Sequence, residues 1–149
     1  VIVGFHATKL VVRDVEAAEA FYGAIGLKRV ACNEGGEGDV RQRQAWMSVS
    51  GDSSTHILIL TQFLEVSAPP LPAYPRELWL AFNVASVDAI EQATLAAGGT
   101  IVRAGEDRPE HGVRAAVVAD PEGHIIEIVG PLSTAAQPVA DPLAAGQRP

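Results

Sequence analysis

The chain has 149 residues, a net charge of −7, 48% hydrophobic residues and one cysteine, Cys32. One cysteine excludes an internal disulfide and a Cys-rich zinc module. The acidic balance weighs against nucleic acid, which needs a cationic surface to displace counterions.

Taken in order, the first element is a strand through Leu10 and Val12. Asp14 follows as an N-cap, and Val15, Ala18, Phe21, Tyr22 and Ile25 repeat at helical spacing up to Gly26. Residues 33–39 (NEGGEGD) read as an acidic hairpin loop and lack the Gly-Lys-Ser/Thr ending of a phosphate cradle. A third strand carries Trp46 and Met47, and a fourth runs through Ile57 and Ile59. Residues 63–76 (FLEVSAPPLPAYPR) form a linker too rich in Pro for a helix. A strand then restarts at Trp79, with an N-cap at Ser86 and a helix through Val87, Ile90, Thr94 and Ala97 that ends at Gly98-Gly99. A polar loop over 105–112 (GEDRPEHG) precedes the seventh strand, and Asp120-Pro121-Glu122-Gly123 has the chemistry of a turn before the eighth. Residues 131–149, rich in Pro and Ala, read as a loose tail.

The order repeats. Leu10–Val30 laid on Phe82–Val102, a shift of 72, matches at seven of 21 positions. At a shift of 68, Val49, Asp52, His56 and Ile57 recur as Val117, Asp120, His124 and Ile125, and Trp46-Met47 fall on Arg114-Ala115. The prediction is α+β, with two βαβββ modules over 4–62 and 77–130. Strand alternation puts Leu10, Val12, Leu80, Phe82 and Val84 under the helices. The opposite face then carries Ala7, Lys9, Val11, Ile59, Thr61, Trp79, Asn83 and Glu127, with Met47 and Val117 also expected inward. Its mostly apolar character with sparse polar groups suits a small-molecule pocket.

Paired modules with VRDVEAAEAFYGAIGL early and DPEGHIIEIVGP late resemble the vicinal oxygen chelate superfamily. That family includes glyoxalase I, bleomycin-resistance proteins, extradiol dioxygenases and methylmalonyl-CoA epimerase. The resemblance implies one glyoxalase-like domain over 1–130, an open, curled mixed β-sheet barrel with helices outside, and a homodimer. In metal-using members four strand positions aim at the metal; here they fall on Ala7, Ile59, Trp79 and Glu127. Only Glu127 carries a donor, so no metal or other cofactor is expected. His6 would enter the first slot only through a bulge.

The remaining candidates are weighed one by one. His56 and His124 face the helices by parity and suit structural roles. His111, in the polar loop, suits proton transfer or plain solvation. Glu127, in an otherwise apolar strand, is either a base or anchor, or a relic paired with Lys9 or Asn83. Trp79 either stacks on a ligand or packs. Tyr22 and Phe21 read as helix core and Cys32 as buried.

The expected function is binding of a small organic molecule by Lys9, Met47, Ile59, Thr61, Trp79, Asn83 and Val117. The ligand is sequestered, or acid–base chemistry runs at Glu127 with His111 as a further catalytic candidate. A cationic ligand suits the acidic balance. The alternative is a metal-dependent lyase, isomerase or dioxygenase of the glyoxalase I type using His6 and Glu127. With no apolar run of roughly 18 residues and no export signal, the expected location is the cytoplasm, away from membranes.

Overall fold

The computed structural model describes residues 1–133. The first module contains β1 (Ala7–Val11), α1 (Val15–Ala24), β2 (Lys28–Gly35), β3 (Gln42–Ser48) and β4 (Ile57–Phe63). The second contains β5 (Trp79–Asn83), α2 (Val87–Ala96), β6 (Thr100–Arg108), β7 (Val113–Ala119) and β8 (Ile125–Pro131). They form two four-stranded sheets, ordered β1-β4-β3-β2 and β5-β8-β7-β6. In each sheet the first strand runs parallel to the last and the other neighbours are antiparallel. The architecture is α+β, with repeated βαβββ modules in two open mixed sheets.

Local chemistry explains the breaks. The Asp14 carboxylate accepts hydrogen bonds from the backbone N–H of Glu16 and Ala17, each at 3.0 Å. The Ser86 hydroxyl does the same for Ala89 at 3.2 Å, so each helix starts at a side-chain cap. Gly26 and Gly98, at φ 115° and 83°, turn the chain out of the helices. In the last hairpin the Gly123 N–H donates to the Asp120 carbonyl at 2.9 Å, as the Asp-Pro-Glu-Gly turn requires.

The helix-side rows meet in a single buried cluster. Leu10, Val12, Phe21, Tyr22, Leu58 and Leu60 from the first module join Leu80, Val87, Val118, Ile126 and Ile128 from the second. The modules are also stitched by polar groups. The buried Asp120 carboxylate accepts from the Tyr22 hydroxyl at 3.2 Å and lies 2.7 Å from His124 Nδ1. His124 Nε2 lies 3.1 Å from the Val11 carbonyl oxygen. The Glu122 carboxylate accepts from the backbone N–H of Arg13 and Asp14 at 2.8–3.2 Å. Burial, and then the Asp120 carboxylate, push the Tyr22 hydroxyl well above the usual phenol range.

Several expectations need correction. The first hairpin loop is three residues longer than the second: Met47 pairs with Leu58, eleven positions on, while Val118 pairs with Ile126, eight positions on. The shift of 68 therefore fails before Asp52, and Trp46 and Met47 correspond to Val117 and Val118 rather than to Arg114 and Ala115. Met47 accordingly does not face inward; it lies in the helix-side cluster at 1% exposure. Cys32 is exposed on the edge strand β2 rather than buried. The first half of the polar loop is strand, because β6 runs to Arg108; Pro109–His111 then form a 3-10 turn before Gly112 at φ 68°. Beyond Ser133 the expected tail lies outside the described residues.

Candidate functional site

The helix-free face of the second sheet is built from cross-strand rows. One row runs Ala81, Glu127, Val117, Arg103, and the next runs Asn83, Val129, Ala115, Glu106. Their strand neighbours Ile126, Ile128, Val118 and Ala116 point into the core, so alternation turns both rows away from α2.

Arg103 reaches this face through an irregularity. In an unbroken strand Ile101 and Arg103 would share a face, and Ile101 packs against the core. The ladder shifts between them, one residue is inserted, and Arg103 emerges opposite Val117. A second shift before Glu106 returns that residue to the same face. Gly105 lies within this second irregularity, and its N–H donates to the Glu91 carboxylate of α2 at 2.7 Å. A Cβ there would stand 3.0 Å from Val87 of α2 and 2.9–3.0 Å from the Arg114 guanidinium, a tight fit that glycine relieves.

The result is a concavity of about 430 Å³. Trp79, Ala115, Val117, Glu127 and Val129 line its sheet face, and Arg103, Glu106, Arg108, Glu110 and His111 supply its charged and polar rim. Glu127 is half-buried. Among the described residues no cationic group lies within 4.0 Å of Glu127 and no carboxylate within 4.0 Å of Arg103, whereas Arg108 is paired with Glu106 at 2.9 Å. The Trp79 indole N–H donates to the Pro75 carbonyl. Its ring tilts against Tyr74, with centroids 5.9 Å apart, and packs on Val117, Ala119 and Ile125.

Glu127, Trp79, Val117 and His111 are thus brought together, and the other candidates are not. Lys9, the expected ionic partner of Glu127, pairs in register with Ile59 on the other sheet. It lies beside Leu71 and Pro72 of the linker and Leu78 just after it, and the expected pairing with Glu127 is absent. Ile59 and Thr61 are each 1% exposed. Beside them the Trp46 indole N–H donates to Gln44 Oε1 at 3.2 Å, and Gln44 Nε2 donates to Gln42 Oε1 at 3.0 Å and to the Thr61 hydroxyl oxygen at 3.4 Å. Asn83 ends β5 beside a separate recess with Ile25, Phe82 and Ile90. Arg103 and its neighbour Glu106 were missed in the sequence, because alternation places a side chain only while the ladder is unbroken. The glycine at 105 inside a strand is the signal that marks the irregularity.

The family that the sequence resembles includes metal users, whose ion needs several side-chain donors. Ala7, Ile59 and Trp79 offer no suitable side-chain atom. β1 pairs with β4 without a register shift and starts after His6, which lies edge-on to Trp46 at 5.9 Å between centroids. No bulge turns His6 into the slot. Among the described residues no three His, Cys, Asp or Glu side chains are grouped to hold an ion. The donors do not fit zinc or a similar transition metal, whose sites take three or four protein ligands.

No helix among the described residues is long and apolar enough to cross a membrane. Comparison with solved structures finds the same fold repeatedly. A glyoxalase family protein from Bacillus cereus aligns with a TM-score of 0.75 at 18% identity, covering 89% of this chain and 96% of that one. A glyoxalase-related enzyme from Fulvimarina pelagi shares 27% identity over 87% of this chain and 88% of its own, with a TM-score of 0.59. A glyoxalase I mutant from Zea mays aligns at 24% identity and a TM-score of 0.62, covering 83% of this chain and 45% of that one. No curated protein matches the chain. The family model described as Glyoxalase/Bleomycin resistance protein/Dioxygenase superfamily matches residues 4–128, and with that span of the two modules accounted for, the chain belongs to this superfamily.

Proposed function

We propose that the protein binds a small, partly apolar organic molecule in the cleft on the second sheet, with Glu127 as its polar centre. The observation that carries this reading is a half-buried carboxylate that has no cationic partner among the described residues and is set among Trp79, Val117 and Val129. Such a group is left to a ligand or to water. The cleft volume of about 430 Å³ lies within the range of small-molecule sites, roughly 300–1,000 Å³. Bound there, a ligand is either sequestered or exchanges a proton with Glu127, and His111 at the rim is within the same concavity for a second transfer. Homodimer assembly and a cytoplasmic location belong to the same reading; sedimentation equilibrium and cell fractionation test them.

The direct test is a small-molecule library screened by thermal shift against the wild type and Glu127→Gln. Ligands that raise the melting temperature of the wild type are expected to lose about tenfold in affinity in the variant, the worth of a hydrogen bond to a charged group. Equal affinity for both proteins would remove Glu127 from the reading.

A further inference from the structure

We infer that the molecule taken up by this cleft is an organic acid, its carboxylate held by Arg103 while Glu127 meets a hydrogen-bond donor elsewhere on it. This rests on the cleft reading above and adds the ligand's charge. The basis is the row Glu127–Val117–Arg103. The two charged residues stand two strand spacings apart, about 9.5 Å between backbones, with Val117 as an apolar floor between them. They do not pair with one another, and no other described residue pairs with either.

Five other arginines meet carboxylates, Arg76 donates to the Gly123 carbonyl oxygen, and Arg13 forms no ion pair among the described residues. Arg108 meets Glu106, Arg114 meets Asp88 and Asp107, and Arg29, Arg41 and Arg43 meet carboxylates of the first module. Among the described residues Arg103 has no ionic partner, and it stands at a position that the strand reaches only by breaking its ladder. The first module makes the same break: β2 shifts between Arg29 and Ala31, and Ala31 lands opposite Trp46 as Arg103 lands opposite Val117. There the row reads Ala31, Trp46, Ile59, Lys9. A shared backbone device thus delivers a cation to one module and a methyl group to the other. A guanidinium presents paired N–H donors that match a carboxylate. The chain's charge of −7 repels anions in general, so a preference for acids at this face must come from the local group.

The test uses three acids, benzoate, 3-phenylpropionate and 4-methylpentanoate, each with its matched primary amide and amine. Backbone amide shifts of labelled protein at pH 7 report where each binds and how tightly. The acids are expected to move the resonances of Arg103, Val117 and Glu127, and to bind about tenfold more tightly than their amides and amines. Arg103→Gln, at an exposed position that leaves the core untouched, is expected to abolish that preference, and Arg103→Lys to keep part of it. Amides or amines that bind the same resonances as well as the acids would overturn the charge assignment and leave the cleft reading standing. So would an acid preference that persists in Arg103→Gln. No shift at the cleft with any of the nine compounds would overturn both.

Discussion

The two sheets share one topology and differ on the face away from the helices. In the first, Ile57, Ile59, Thr61 and Gln44 are 1–6% exposed, and Trp46, Gln44, Gln42 and Thr61 satisfy one another through hydrogen bonds. In the second, Glu127, Val129 and Ala115 stay half-buried at the floor of an open cleft. One copy of the module has filled its inner face with its own side chains, and the other has kept a hollow in which Glu127 and Arg103 have no ionic partner among the described residues. A duplicated scaffold can therefore divide its work, with one half supplying rigidity and the other chemistry.

The contrast predicts unequal costs at matched positions. Asp120 and Asp52 hold the same place in the two hairpins, yet Asp120 is buried beside Tyr22 and His124 while the Asp52 carboxylate bonds only Ser50 and Ser54 at the surface. Asp120→Ala leaves the buried polar groups of Tyr22 and His124 without their acceptor and is expected to cost about 3 kcal/mol or more. Urea unfolding should show that loss, with a smaller fall in the midpoint for Asp52→Ala. Next in size is Gly99→Ala. A Cβ there would come within 2.5 Å of the Ala119 carbonyl and 2.8 Å of the Phe21 and Thr94 side chains. The first module carries Leu27 at the matching place. The expected loss is about 1–3 kcal/mol, since a well-packed site has no room to yield, and the same unfolding measurement reads it.

The smallest effect is a titration. Hydrogen bonds from the Ser54 side chain, then its backbone N–H and the Ser50 hydroxyl, hold the Asp52 carboxyl down at about 2. The folded value lies below the ordinary 3.8, so the contribution of this group is complete above roughly pH 4 and is lost as pH falls toward 2. Carboxyl NMR should place the Asp52 midpoint near 2, and Ser54→Ala should bring it back toward the ordinary value.

What could be read from the sequence was what local chemistry decides. Asp14 and Ser86 cap helices, Gly26 and Gly98 end them, and Leu10, Val12 and Leu80 turn toward the core. Glu127 stood out because a carboxylate among Ile125, Ile126 and Ile128 has no local explanation. What could not be read depended on pairing. Met47 lay on the unexpected side because three additional loop residues precede Asp52. Arg103 was hidden because a ladder shift reverses which residues share a face. Lys9 was matched with Glu127 on charge alone, with no knowledge that the linker residues Leu71 and Pro72 lie beside it.

The carboxylate of Glu122 has a wider consequence. It sits in the last turn of the second half, yet it receives the free backbone N–H groups of Arg13 and Asp14 at the mouth of the first helix. That helix borrows part of its opening from a residue more than a hundred positions away. Severed within the linker, the chain would give two fragments, each holding an unfinished surface that the other completes. Neither is expected to stand alone, and mixing them should restore what cutting removed.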